Sequence, residues 1–165
     1  PFDFVSGWEV ANYLGLGLIA GMVAPQFLRF LDASKALFRR LTLPLWAKMA
    51  LGGLVVGALS VFKPEVWGNG YSVVNSMLHT EWAWQAVAAI LLFKIVATGA
   101  SVGSGAIGGV FTPTLFVGAA VGALYGSGLH ALFPAGDLSA VSSYAVVGMG
   151  ALLAATTYAP LMSIL

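Results

Sequence analysis

The residues with the most distinctive chemistry run Gly103-Ser104-Gly105-Ala106-Ile107-Gly108-Gly109-Val110-Phe111-Thr112-Pro113. Four glycines fall within seven positions of an otherwise apolar stretch. Each glycine in a helix costs about 1 kcal/mol relative to alanine, so a helix is predicted to break here. Backbone exposed by such a break is tolerated inside a membrane where it lines a cavity or a polar site. Thr112 suits a helix cap and Pro113 a first helical turn, which predicts that a new helix opens at this point. Its first N–H groups lack intrahelical partners and carry about half a positive charge. That is chemistry for binding an anion through the backbone, with Gly108, Gly109, Val110, Phe111, Thr112 and Pro113 as the candidate residues. Lys94 lies about two to three helical turns earlier. A charge at that depth is expected either to add positive potential to the same anion path or to pair with a carbonyl or carboxylate.

Other chemistry fits less well. Residues Gly103 to Gly108 match the dinucleotide fingerprint G-x-G-x-x-G, which needs a preceding strand and an acidic residue about 20 positions on. Here the preceding run is long enough to span a membrane, and the next acidic residue is Asp137. A phosphate-binding loop fails too, because no Gly-Lys-Ser or Gly-Lys-Thr follows. His79 and His130 lack the paired spacing of a metal site and are expected at the membrane interface. The carboxylates Asp3, Glu9, Asp32, Glu65, Glu81 and Asp137 all fall near segment ends, so no acidic relay for protons is expected across this piece.

The elements around the glycine cluster are those of a membrane chain. Hydrophobic residues make up 59% and charged residues 8% of the sequence, and mean hydropathy is +0.94. Soluble domains carry roughly 25% charged residues. The absence of cysteine excludes disulfides and thiolate-bound metals. The 165 residues leave room for four or five spans of about 20 residues. Spans are predicted over Val10–Leu31, Leu43–Phe62, Trp82–Val102 and Val110–Leu132, with a fifth segment over Ser139–Tyr158 that Tyr158-Ala159-Pro160 breaks. A short interfacial or re-entrant helix is predicted over Val73–His79. Asp32, Lys35, Arg39 and Arg40 are expected in a polar bend, cytoplasmic by its basic excess. Four charges between two spans make a poor nucleic-acid patch. Small residues recur four apart at Gly17/Gly21, Gly53/Gly57 and Gly118/Gly122/Gly126, a spacing that lets helices approach closely. The chain opens on Pro1 and ends inside an apolar run, and it reads as a piece of a longer protein.

The glycine-rich stretch resembles the G-[SA]-G-x-x-G-G-x-F-x-P signature of the CLC chloride channels and chloride/proton antiporters. Trp67-Gly68-Asn69-Gly70-Tyr71 is similar to that family's outer loop between its eleventh and twelfth helices. Tyr144 to Ala155, with Ala159-Pro160, resembles its Gly-Met-Gly-Ala and Ala-Pro stretch. The resemblance covers most of the chain and is closest to the bacterial members; it implies that residues 1–165 are one incomplete transmembrane region, from about helix J to the start of helix P. It implies an all-α, polytopic membrane protein with broken and re-entrant helices, part of the CLC inverted-repeat fold. It also implies a homodimer in the bacterial inner membrane, with the amides of Val110 and Phe111 facing the permeating chloride. The gating glutamate, the selectivity serine and the inner-gate tyrosine of the family are then expected outside this chain.

The expected function is therefore part of an anion channel or chloride/proton antiporter, not an enzyme. Its partners are chloride and lipid, with no cofactor and no nucleic acid. Two alternatives stay open at this point. A secondary transporter of an organic anion uses broken helices in the same way. A fragment that only packs against other helices would need nothing beyond the small-residue stripes.

Overall fold

The computed structural model describes residues 8–68, 70–80, 82–133 and 138–157, and the elements are helical throughout these residues. α1 is Trp8–Arg40, α2 is Leu45–Phe62, and a short 3-10 turn follows at Pro64–Val66. α3 is Tyr71–His79, α4 is Trp84–Gly103, α5 is Phe111–Leu132 and α6 is Val141–Thr157. Four of these, α1, α2, α4 and α5, are long and apolar enough to cross a membrane. The predicted break at 158–160 lies outside the described residues, as do residues 134–137, those before Trp8, Asn69 and Glu81.

The helix starts agree with the predicted spans to within two residues, except that α1 continues through its polar end. Residues 32–40, expected as a bend, are helical. One face of that stretch stays packed: Leu31 and Phe38 are buried, and Ser34 Oγ donates to the Gly99 carbonyl at 2.6 Å. The other face is solvated and carries the Lys35–Asp32 pair at 3.1 Å. A stretch with one buried and one charged face remains helical despite its polarity. The chain turns at 41–44 instead, where Pro44 biases Leu43 away from helical backbone.

Two buried clusters hold the helices together. Leu16, Ala20 and Ala24 of α1 meet Val117 and Val121 of α5 and Tyr144 and Leu152 of α6. Val73 and Met77 of α3, Val87 and Ile90 of α4, and Phe116 and Ala120 of α5 form the second. In lipid the hydrophobic effect does not drive helices together, so closeness of fit decides which faces meet. The α5–α6 pair has that fit. A Cβ on Gly118 would lie 2.5 Å from the Gly148 carbonyl oxygen, and one on Gly122 would strike the Tyr144 carbonyl. The stripe at Gly118, Gly122 and Gly126 is thus a packing surface, as expected. The other two stripes are not used in this way, since nothing lies within 4 Å of a Cβ at Gly17, Gly21, Gly53 or Gly57. On α2 the close approach is at Gly52, against Ser104 and the Ala100 carbonyl.

A polar contact not foreseen from the sequence joins the far ends of the fold. Glu9 in the first turn of α1 is buried and accepts a hydrogen bond from Ser139 Oγ, just before α6. Tyr13 Oη donates to the same Ser139 oxygen at 3.2 Å.

Candidate anion site at the start of α5

The glycine-rich stretch divides into a tight front and an open back. At the front, α4 ends in a pair of reversed hydrogen bonds, Gly105 N to Val102 O at 3.3 Å and Ala106 N to Ser101 O at 3.2 Å. That is the Schellman termination, which places its residue after the cap in left-handed backbone. Gly105 has φ 88°, and a Cβ there would also lie 3.0 Å from Leu45 Cδ1. Gly103 is needed for another reason: a Cβ would press against Ser34 Oγ and Phe38 Cδ2. Gly105→Ala is therefore expected to destabilise the folded protein by about 1–2 kcal/mol, the cost of left-handed backbone for a residue with a Cβ. Denaturant unfolding of the reconstituted protein checks this. Stability equal to the parent would mean that this turn relaxes freely.

At the back, residues 106–109 have no regular structure, and Gly108 and Gly109 are exposed. Val110 (φ −86°, ψ −3°) occupies the cap position of α5, with no side chain capping it. Thr112 was expected as the cap, but it falls inside the first turn, with Pro113 next. Thr114, not Thr112, ties back, donating from N at 2.9 Å and from Oγ1 at 2.8 Å to the Val110 carbonyl.

The amides of Val110, Phe111 and Thr112 have no hydrogen-bond acceptor among the described residues. Pro113 has no N–H to satisfy. The helix start thus gathers unpaired donors at one end of a 22-residue helix, where the dipole favours negative charge. Val110 and Phe111 are 38% and 55% exposed, whereas Thr114 and Phe116, one turn on, are buried. This helix end is anchored on its inner side and open on the other. A cavity of about 390 Å³ runs beside it, between Thr112 and Leu115 of α5, Asn75 of α3 and Met149 of α6. Its wall is mainly aliphatic and offers few groups that would recognise a larger polar solute.

Lys94 reaches a different place. Its side chain is 3% exposed, and Nζ donates to the Val66 carbonyl at 2.8 Å and the Gly68 carbonyl at 2.7 Å. The ammonium also lies 5.7 Å from the centre of the Phe116 ring, within range of a cation–π contact. The carbonyl pairing expected as one alternative is present, and it pins the α2–α3 connection to α4. Gly70, at φ 83°, opens α3 directly against Lys94 and Phe116. Lys94→Met is expected to free this connection and to raise amide hydrogen exchange over residues 66–71 by at least about tenfold, since two charge-assisted bonds are lost. Unchanged exchange there would show that the connection is held by other contacts.

Residues 2–165 match the protein family described as Voltage gated chloride channel. This chain belongs to that family. A ClcB-like chloride channel protein of Ralstonia nicotianae is 66% identical over 164 residues, covering 99% of this chain and 38% of the relative. The voltage-gated ClC-type chloride channel ClcB of Escherichia coli K12 is 48% identical over 162 residues, covering 98% of this chain and 38% of the relative. The chain thus spans 38% of the length of the curated relatives it matches. Family membership and the four apolar helices make this a multi-pass membrane protein with the all-α fold of the voltage-gated chloride channels.

Three features of the site region are not legible as motifs: the Schellman bonds, the Thr114 tie and the direction of Lys94. The first has a local signal, because a glycine two residues after the last helical turn is the usual mark of that ending. The Thr114 tie is local too, a bond from residue i to i−4 in the first turn of α5, whereas the direction of Lys94 depends on which carbonyls the fold brings within reach.

Proposed function

We infer that this chain forms part of a transmembrane chloride channel or chloride/proton antiporter, in which the start of α5 supplies backbone amides to the permeating anion. The carrying observation is that the amides of Val110, Phe111 and Thr112 find no acceptor among the described residues, on an exposed helix start that follows Gly108 and Gly109. Several weak N–H dipoles suit a spherical monovalent anion, and weak binding lets the ion leave again. A lysine in direct contact would hold it too tightly. Lys94 is engaged with carbonyls, so its contribution in this reading is a field and not a ligand. The names of the relatives, both chloride channels, support the same reading.

Conduction belongs to the whole protein, and the open side of the α5 start is where its other walls would complete the ion site. The basic end formed by Arg39, Arg40 and Lys48 faces the cytoplasm in this reading, with the α2–α3 connection outside. The membrane is the bacterial inner membrane, and the resemblance supports a homodimer. The deciding experiment reconstitutes the full-length protein in liposomes under a chloride gradient and records chloride efflux together with external pH. Chloride movement with stoichiometric proton movement is expected of an antiporter, and chloride movement alone of a channel. Absence of chloride flux from well-folded protein would reject both and favour transport of an organic anion.

A further inference from the structure

The corner where α1 turns into α2 gathers charge that nothing nearby balances. Arg39 and Arg40 close α1, Lys48 is the fourth residue of α2, and residues 41–44 join the two helices. The turn is tight on both sides. Leu41 N donates to the Phe38 carbonyl at 3.3 Å, and Lys48 N donates to the Pro44 carbonyl at 3.2 Å. Asp32 is engaged by Lys35, and the sequence holds no further acidic residue until Glu65, beyond the other end of α2. Arg39, Arg40 and Lys48 have no carboxylate partner among the described residues. Helix lengths set the depth of this corner. α1 has 33 residues, about 50 Å at 1.5 Å per residue. A bilayer offers roughly 30 Å of hydrocarbon, and about 40–45 Å with its headgroup layers. At the usual tilt of about 20° the ends of α1 still reach those layers. α2 has 18 residues, about 27 Å, so its first residues fall at the edge of the hydrocarbon. Trp46 is 73% exposed there, and Leu37 and Leu45 are 62% exposed. Tryptophan favours this depth.

We propose that the α1–α2 corner binds the headgroup of an anionic phospholipid, of the phosphatidylglycerol class, through Arg39, Arg40 and Lys48. A guanidinium matches a phosphate through two parallel N–H···O bonds, and the lysine adds a point charge. Trp46 and Leu45 cover the glycerol and upper chains of the same lipid. The attraction needs no fixed contact distance, because it acts over a Debye length of about 8–10 Å. A zwitterionic headgroup fits less well, since its ammonium adds positive charge to three cations that already lack a counter-charge. A soluble anion fits less well too, because it leaves the exposed Trp46 and Leu37 uncovered. Such binding follows from the membrane placement of the chain, whichever solute the protein moves.

The test uses the full-length protein in phosphatidylcholine nanodiscs doped with phosphatidylglycerol or, in parallel, phosphatidylcholine brominated in the upper acyl chain. Bromine quenches tryptophan fluorescence on contact, and the part of the signal lost in Trp46→Phe belongs to Trp46. Quenching of that part is expected at a mole fraction at least about tenfold lower for the anionic lipid. Arg39→Gln, Arg40→Gln and Lys48→Gln are each expected to reduce this preference about threefold to fivefold, the worth of one basic residue at an anionic surface. The triple variant should lose it, whereas Arg39→Lys keeps the charge and should keep most of it. Arg39 and Arg40 are exposed and Lys48 is half-buried, so the variants should fold, and size exclusion verifies it. The comparison of the two lipids in the parent protein stands without any variant. Equal quenching by the two lipids, or a preference that survives in the triple variant, would overturn the proposal. So would loss of the preference on adding millimolar inorganic phosphate, which would assign the corner to a soluble anion.

Discussion

Replacing Val110 with proline is expected to weaken halide binding about tenfold to a hundredfold while leaving the protein folded. The substitution deletes one amide donor and little else. Val110 already has φ −86°, close to the value proline imposes. The preceding Gly109 has no Cβ to clash with the ring. The Val110 carbonyl, which accepts from Thr114 N and Oγ1, is retained. The side chain is 38% exposed in this chain, so the packing lost here is small. A hydrogen bond to a charged partner is worth about 1.5–3 kcal/mol, and each 1.4 kcal/mol is about tenfold in affinity. Calorimetric titration of the full-length protein with chloride measures the effect. Val110→Ala keeps the amide and should bind as the parent does. If the folded proline variant binds halide as tightly as the alanine variant, the amide at this position does not face the anion.

The largest effect on stability is expected at Gly122. A Cβ there meets the Tyr144 carbonyl group and, at 2.9 Å, the Ala145 Cα. Those atoms are backbone of α6 and cannot rotate aside. Gly148 faces back onto the Gly118 carbonyl and the Gly122 backbone, so the two helices interlock from both sides. Even alanine must push the helices apart, and overpacking of this kind costs typically 1–3 kcal/mol and occasionally more. Gly122→Ala is expected at about 3 kcal/mol and Gly122→Leu to prevent recovery of folded protein. Gly126→Ala should be milder, because its Cβ would meet the Tyr144 side chain, nearest at Cδ2, 2.8 Å away, and a ring can tilt. Thermal melting of the detergent-solubilised protein, followed by size exclusion, ranks the three. A Gly122→Ala protein that melts with the parent would mean that the α5–α6 contact is looser than described.

Glycine has three distinct uses around these positions. At Gly118, Gly122 and Gly148 the missing side chain admits another helix. At Gly108 and Gly109 it leaves the backbone bare before an open helix start. Gly105 differs from both, since its requirement is the left-handed turn that ends α4.

Sequence alone determined the membrane class, the approximate spans and the break before α5. Each of these follows from short-range physics. Apolar runs of span length need no partner to declare themselves, and dense glycine weakens a helix wherever it occurs. The open helix start of α5 was legible for the same reason, since a helix start carries amides without intrahelical partners whatever surrounds it. Tertiary structure decided the rest. Three stripes of small residues look alike in sequence, yet only Gly118/Gly122/Gly126 meets another helix closely, because α6 brings Gly148 and Tyr144 opposite it. Residues 32–40 read as a bend by their charge but stay helical, because Ser34 and Phe38 find partners at the end of α4. Lys94 had two candidate roles until the carbonyls of Val66 and Gly68 came within reach. In each case the deciding energy is a contact between segments distant in sequence, and neither hydropathy nor propensity carries that information.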